Sequence, residues 1–150
     1  YAMRCRLVGS EMCIRDRAEY MNRRYPSGVP EYLACGVSIE NQSLADERLP
    51  HLLTIKGHRF VMIEPMLGPV DLTQYRDVHW LVVGSETGDE AKLPRDKIRP
   101  LNPDWVRRLR DFAQENKIPF FLKQLGKSHK KPDRELDGRT WQEFPPGFVK

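Results

Sequence analysis

No apolar run in the 150 residues approaches the roughly 18 that a membrane span requires, so no bilayer-crossing helix is expected. The N-terminus also lacks the basic, apolar, small-residue order of a secretory signal. Together these absences predict a cytoplasmic protein without membrane contact. Cysteine is scarce: Cys5, Cys13 and Cys35 are all there is, and their spacing builds neither a disulfide framework nor a zinc site. Cys35 sits in an apolar run and reads as a small core residue. A large charge excess is missing too, with 25 Lys and Arg against 21 Asp and Glu.

Part of that small excess is of doubtful origin. Leu7–Asp16, LVGSEMCIRD, matches the translation of a transposase adapter used to prepare sequencing libraries, and Arg17 agrees with the bases that follow. Residues 1–17 are therefore expected to be a library artefact without structure, fused to a gene entered midway. Without them Lys plus Arg falls from 25 to 21 and Asp plus Glu from 21 to 19, so the net charge drops from +4 to +2. That is too little to argue for nucleic acid. Only Cys35 then remains.

The remaining length suits one domain. AEYMNRRY reads as the tail of a helix, broken by Pro26, Gly28 and Pro30. Tyr32–Ile39 is a first strand. Ser43 is a plausible N-cap for the helix that follows, with Asp46 three residues on, and Pro50 should kink or split it. Arg59–Ile63 is a second strand, and MLGPVDL after it is too rich in glycine and proline for a long helix, although Leu72–Tyr75 could give one turn. Trp80–Val83 is apolar without alternation, as a strand covered on both faces should be, and stops at Gly84. The clearest helix follows. Asn102 is a good cap, Pro103 fits the first helical position, and Asp104 favours the positive end of the dipole. Trp105, Val106, Leu109, Phe112 and Ala113 form its apolar stripe. Pro119–Leu122 is a fourth strand, and WQEF near the C-terminus should pack Trp141 and Phe144 back on the body.

Strands alternating with helical or irregular crossovers imply a parallel sheet with right-handed connections. The expected fold is α/β, with about four parallel strands forming the C-terminal half of a TIM-like (β/α) barrel over residues 18–150, truncated at its N-terminus. Parallel strands put their carboxyl ends on one edge, where ligands collect. Glu40 and Asn41, Glu64, Gly84, Ser85 and Glu86, then Lys123 and Gln124 stand there. Clustered carboxylates repel one another, so the set needs a cation, a proton or hydrogen-bond donors among it. Lys123 could be that cation; a bound metal or a ligand ammonium with ribose hydroxyls could serve instead. Glu64, Glu86 and Lys123 are the candidate reactive groups.

The blocks YLACGVSIENQSLADERLPHLL, RFVMIEPMLGPVDL, WLVVGSETG, NPDWVRRLRDFAQENKIPFFLKQLG and LDGRTWQEFP resemble, in order and at family spacing, the bacteriophage Gp-thirty-seven/Gp-sixty-eight family. That family is of undetermined function and is regarded as radical-SAM-like, with a barrel fold. Its members usually read GGESG at Gly84–Gly88; Glu86 matches, while Ser85 and Thr87 depart. The resemblance implies a [4Fe–4S] cluster held by three cysteines upstream, with S-adenosylmethionine on the open iron and a 5′-deoxyadenosyl radical as product of reductive cleavage. It implies no metal ligand in this stretch and an inactive fragment. Glu86 and Glu64 would hold cofactor ammonium or ribose groups, Asn41 and Gln124 would orient by hydrogen bonds, and Lys123 would meet a carboxylate. The substrate stays unspecified.

Two other readings stand beside it. A cluster-free barrel hydrolase would use Glu40, Glu64 and Glu86 around a divalent ion or as acid and base. A phage nucleic-acid module would use Arg107, Arg108, Arg110 and the loop Lys127, Lys130, Lys131 on phosphates. Four strands of a barrel would leave two open edges and half a core, predicting poor stability or self-association.

Overall fold

The computed structural model describes residues 3–7, 11–87, 98–126 and 133–147. Its elements run β1 (Met3–Leu7), α1 (Glu11–Arg24), β2 (Leu33–Ile39), α2 (Gln42–Leu53), β3 (His58–Ile63), β4 (Trp80–Gly84), α3 (Pro103–Glu115), β5 (Phe120–Gln124), β6 (Glu135–Leu136) and β7 (Arg139–Thr140). Five parallel strands form one sheet in chain order, β1-β2-β3-β4-β5. The four strands read from the sequence are all in it. The architecture is mixed α/β.

At the N-terminus Met3–Leu7 pairs with Leu33–Val37, and α1 starts at Glu11 and buries Ile14 to 1% exposure. The cause is local: Ile14, Ala18 and Met21 fall at i, i+4 and i+7, a short apolar stripe against the core.

Alternation along the strands divides the core in two. Cys35, Val37, Ile39, Val61, Ile63, Leu81, Val83, Phe120 and Leu122 face the helices and share one cluster with Leu49, Leu52, Val106 and Leu109. The opposite face carries Ala34, Phe60, Trp80 and Val82, with Met62, Phe121 and Phe144 packed on them. Gly36 belongs to this second face for a steric reason: a Cβ there would stand 2.1–2.4 Å from the Phe60 ring.

Three local readings are corrected. Asn41, not Ser43, caps α2, its side chain accepting from the Leu44 N–H at 3.1 Å. Pro50 does not split α2, which runs on to Leu53. Pro50 is exposed and lies in the last turn, while Leu49 and Leu52 beside it are wholly buried and hold that turn down. The edge beside β5 is not open: Phe121 bridges Gln142 antiparallel, the Leu122 N–H donates to the Trp141 carbonyl at 2.9 Å and the Glu143 N–H to the Phe120 carbonyl at 3.0 Å. Trp141 thereby enters the helix-side core and Phe144 the other face, as the WQEF reading expected. Between β3 and β4 there is no helix; the Tyr75 N–H bonded to the Leu72 carbonyl at 2.8 Å gives the single expected turn.

Candidate functional site at the carboxyl edge of the sheet

The second sheet face changes character along the strands. Phe60 pairs in register with Trp80, and Met62 with Val82. Trp80, Phe121 and Phe144 make a ring cluster with centroids 5.2–6.2 Å apart. One step further toward the carboxyl ends, the same alternation brings Glu64 beside Gly84, with Glu40 on the β2 side and Lys123 on the β5 side. An aromatic layer thus underlies a charged one.

The charged layer is assembled across three strands. A register shift at Val83/Gly84 sets Val83 opposite Leu122 and Gly84 opposite Gln124, leaving Lys123 as the extra residue of a β-bulge. The Lys123 Nζ donates to Glu64 Oε2 at 2.8 Å, and the Gln124 amide donates to Glu64 Oε1 at 2.8 Å and to the Ser85 carbonyl at 3.1 Å. Gly84 lies directly beneath. A Cβ on it would stand 3.2 Å from both the Gln124 nitrogen and Glu64 Oε1, so the missing side chain is what lets those groups converge. Backbone bonds stitch the edge: the Met66 N–H reaches the Gly84 carbonyl at 3.0 Å, the Leu67 N–H the Glu40 carbonyl at 2.8 Å, and the Ser85 N–H the Gln124 carbonyl at 3.0 Å. The Ser85 hydroxyl is buried and donates to the Gly126 carbonyl at 2.7 Å. The peptide bond Glu64–Pro65 is cis.

Glu86 belongs to a neighbouring pair. Its Oε2 accepts from the Arg99 backbone N–H at 2.9 Å and from Nε at 3.0 Å, while its Oε1 accepts from the guanidinium's terminal nitrogen. The Arg99 side-chain hydrogen bonds, then its backbone N–H, hold the Glu86 carboxyl down at about 2. Arg99 is raised in turn, first by Glu86, with Glu40 contributing through space.

The structure therefore brings together Glu40, Glu64, Gly84, Ser85, Glu86, Lys123 and Gln124 at one edge, and assigns Asn41 to helix capping. Lys123 is the cation the carboxylates needed, for Glu64; Arg99, which the sequence pattern does not single out, serves Glu86. The Glu40 side chain has no hydrogen bond among the described residues and the residue is half-buried. The three glutamates do not form a three-ligand metal set with other described residues. Away from this edge, Arg107 and Arg110 are tied to Asp137 in the β6–β7 turn and to Asp104 and Asp111, which removes two cations from the nucleic-acid reading. Its loop, Lys127, Lys130 and Lys131, lies outside the described residues.

The family model described as "Protein of unknown function (DUF5131)" matches residues 9–145. The chain belongs to this family. All the strand-end residues, from Glu40 to Gln124, fall within the DUF5131 match, which begins inside the stretch expected to be adapter. Neither a curated protein nor a solved structure matches the chain. No helix among the described residues is long and apolar enough to cross a membrane.

Proposed function

We propose that this DUF5131 chain forms one wall of a small-molecule site in a phage-type, radical-SAM-like enzyme on a (β/α) barrel, with S-adenosylmethionine as the cofactor bound at that wall. The convergence of Glu64, Lys123 and Gln124 over Gly84 carries the reading. Support also comes from the chain-ordered parallel sheet with its helices on one face, because such sheets take ligands at strand carboxyl ends.

The residues divide by what is already satisfied. Glu64 and Glu86 have both carboxylate oxygens engaged, so they act as anchors that hold Lys123 and Arg99 at the rim. Glu40, whose side chain has no hydrogen bond among the described residues, can take an ammonium or ribose hydroxyl, and Lys123, with half its side chain exposed, can turn a proton toward a ligand carboxylate. Gln124 fixes the Glu64 carboxylate, and Gly84 leaves the room.

Residues 18–150 do not fit the iron–sulfur cluster of this reading. A cluster takes three or four thiolates, and Cys35 is wholly buried between sheet and helices. In this reading the cluster's ligands come from a longer protein. Anaerobic reconstitution of that protein should give about four irons per chain and release 5′-deoxyadenosine. Failure of both in a folded preparation overturns the radical reading.

A further inference from the structure

A second site lies at the opposite, amino-terminal edge of the sheet, away from Glu40, Glu64, Glu86 and Lys123. His58 and His79, from the starts of β3 and β4, and Pro119, before β5, line a cleft of about 720 Å³ together with Arg76, Lys117 and Phe144. The volume is within the usual range for small-molecule pockets. We propose that this cleft binds a phosphate-bearing small molecule, with Arg76 and Lys117 as its anion-recognising residues and His79 as a neutral donor.

Charge accounting gives the sign of the ligand. The cleft holds two carboxylates, and both are occupied. Asp77 pairs with the Arg59 guanidinium at 2.8 Å. Glu143 is taken by Arg139 at 3.1 Å, the Gln114 amide at 3.1 Å and the Phe120 N–H at 3.0 Å. The Arg76 side chain makes one hydrogen bond among the described residues, to the Thr73 carbonyl at 2.8 Å, and Lys117 makes no ion pair among them. Two cations therefore face the cleft unneutralised by these residues. A guanidinium and an ammonium together suit a group with several anionic oxygens.

His79 adds a directed proton. Its Nδ1 accepts the Arg59 backbone N–H at 3.2 Å, so the neutral ring carries its hydrogen on Nε2. Burial, then the Arg59 charge, pushes its pKa down, with Asp77 opposing and His58 adding to the depression. The carbonyls at the end of α3 do not repel an anion strongly, because those of Phe112, Ala113 and Gln114 are each bonded by Asn116, Ile118 and Lys117.

Lys117 is itself unusual. It holds φ +56 in the left-handed position that closes α3, where glycine is the unstrained choice. A residue in this conformation whose cation makes no ion pair among the described residues, at a cleft, points to use of its side chain. Val78, Ile118, Phe144 and Pro145 give the cleft an apolar lining for the body of the ligand.

The test uses AMP as probe, with adenosine as control, on the complete 150-residue chain followed by amide and imidazole NMR. AMP should shift the His79 and Lys117 resonances saturably and raise the His79 pKa; adenosine should bind at least tenfold more weakly. Arg76→Gln and Lys117→Asn, the latter keeping a residue tolerant of positive φ, should each weaken AMP at least fivefold with unchanged melting. Unmoved His79 resonances at millimolar AMP, equal binding of adenosine, or binding that survives both substitutions would overturn the proposal.

Discussion

Lys123 and Glu64 meet at 2.8 Å across an intervening strand, and the residue they pass over is Gly84. Neither partner of this pair belongs to β4. A Cβ at Gly84 would stand 3.2 Å from Glu64 Oε1 and from the Gln124 nitrogen, so the site has a steric as well as an electrostatic requirement.

Two glycine substitutions separate these requirements. Gly84→Ala puts a methyl 3.2 Å from Glu64 Oε1 and the Gln124 nitrogen, so those groups must give by a few tenths of an ångström. The overpacking cost is at the low end of about 1–3 kcal/mol, and reduced freedom of the unfolded chain returns roughly 0.4–1 kcal/mol. Gly36→Ala drives a methyl into the Phe60 ring at 2.1–2.4 Å, within the buried second face. Thermal melts should therefore show Gly84→Ala near wild type and Gly36→Ala lower by roughly 4–8 °C or more. Equal melting would contradict the assignment of Gly84 to the site and Gly36 to packing.

The Glu86–Arg99 pair has a pH signature. The Glu86 carboxyl is depressed from 4.5 to about 2, so the folded state releases its proton where the unfolded chain still holds one. Its stabilising contribution is complete above pH 4.5 and is lost as pH falls toward 2. NMR titration should place the Glu86 midpoint well below the ordinary carboxylate range, and Arg99→Gln should return it toward 4.5. A wild-type midpoint near 4.5 would show that the pair does not form in solution.

His79 loses stability in the same direction, in a higher pH window. Its folded pKa lies below the 6.5 of the free side chain, chiefly through burial. As pH falls through 6.5, the unfolded chain takes up a proton that the folded chain refuses, and stability declines until the folded pKa is reached. Urea midpoints should be lower at about pH 5.5 than at about pH 7.5, and His79→Gln should flatten that difference. A pH dependence unchanged by the substitution would assign it to other groups.

Local chemistry made much of the fold readable. The Asn102–Pro103–Asp104 start of α3 is as the sequence indicates, with the Asn102 side chain accepting from the Asp104 N–H at 2.9 Å. Apolar runs ending in charged residues located β2 to β5, and parallel topology then gathered the strand ends. What escaped was set by contacts distant in sequence. Arg59 looks like a stray charge opening a strand, yet it is buried and donates to the Leu53 and Ile55 carbonyls at the end of α2 and beyond it, at 3.2 and 2.9 Å. Arg99 meets Glu86 from thirteen residues away, in a stretch without periodicity. Trp141–Glu143 pairs with β5 as an antiparallel edge, although two or three residues carry no strand signal of their own. Asn41 and Ser43 are both cap-type residues, and only the point where β2 ends decides between them.

The central claim, that the layer of Glu40, Glu64 and Lys123 above Gly84 is a cofactor wall, is tested most directly by calorimetric titration of S-adenosylmethionine into a protein that joins this chain to the cysteines the proposed reading requires. Lys123→Met and Glu40→Gln should each weaken binding about tenfold, a loss of roughly 1.4 kcal/mol, while Arg107→Gln on the outer helix should not change it. Affinity for S-adenosylmethionine that is the same in all three variants and in the wild type would contradict the account.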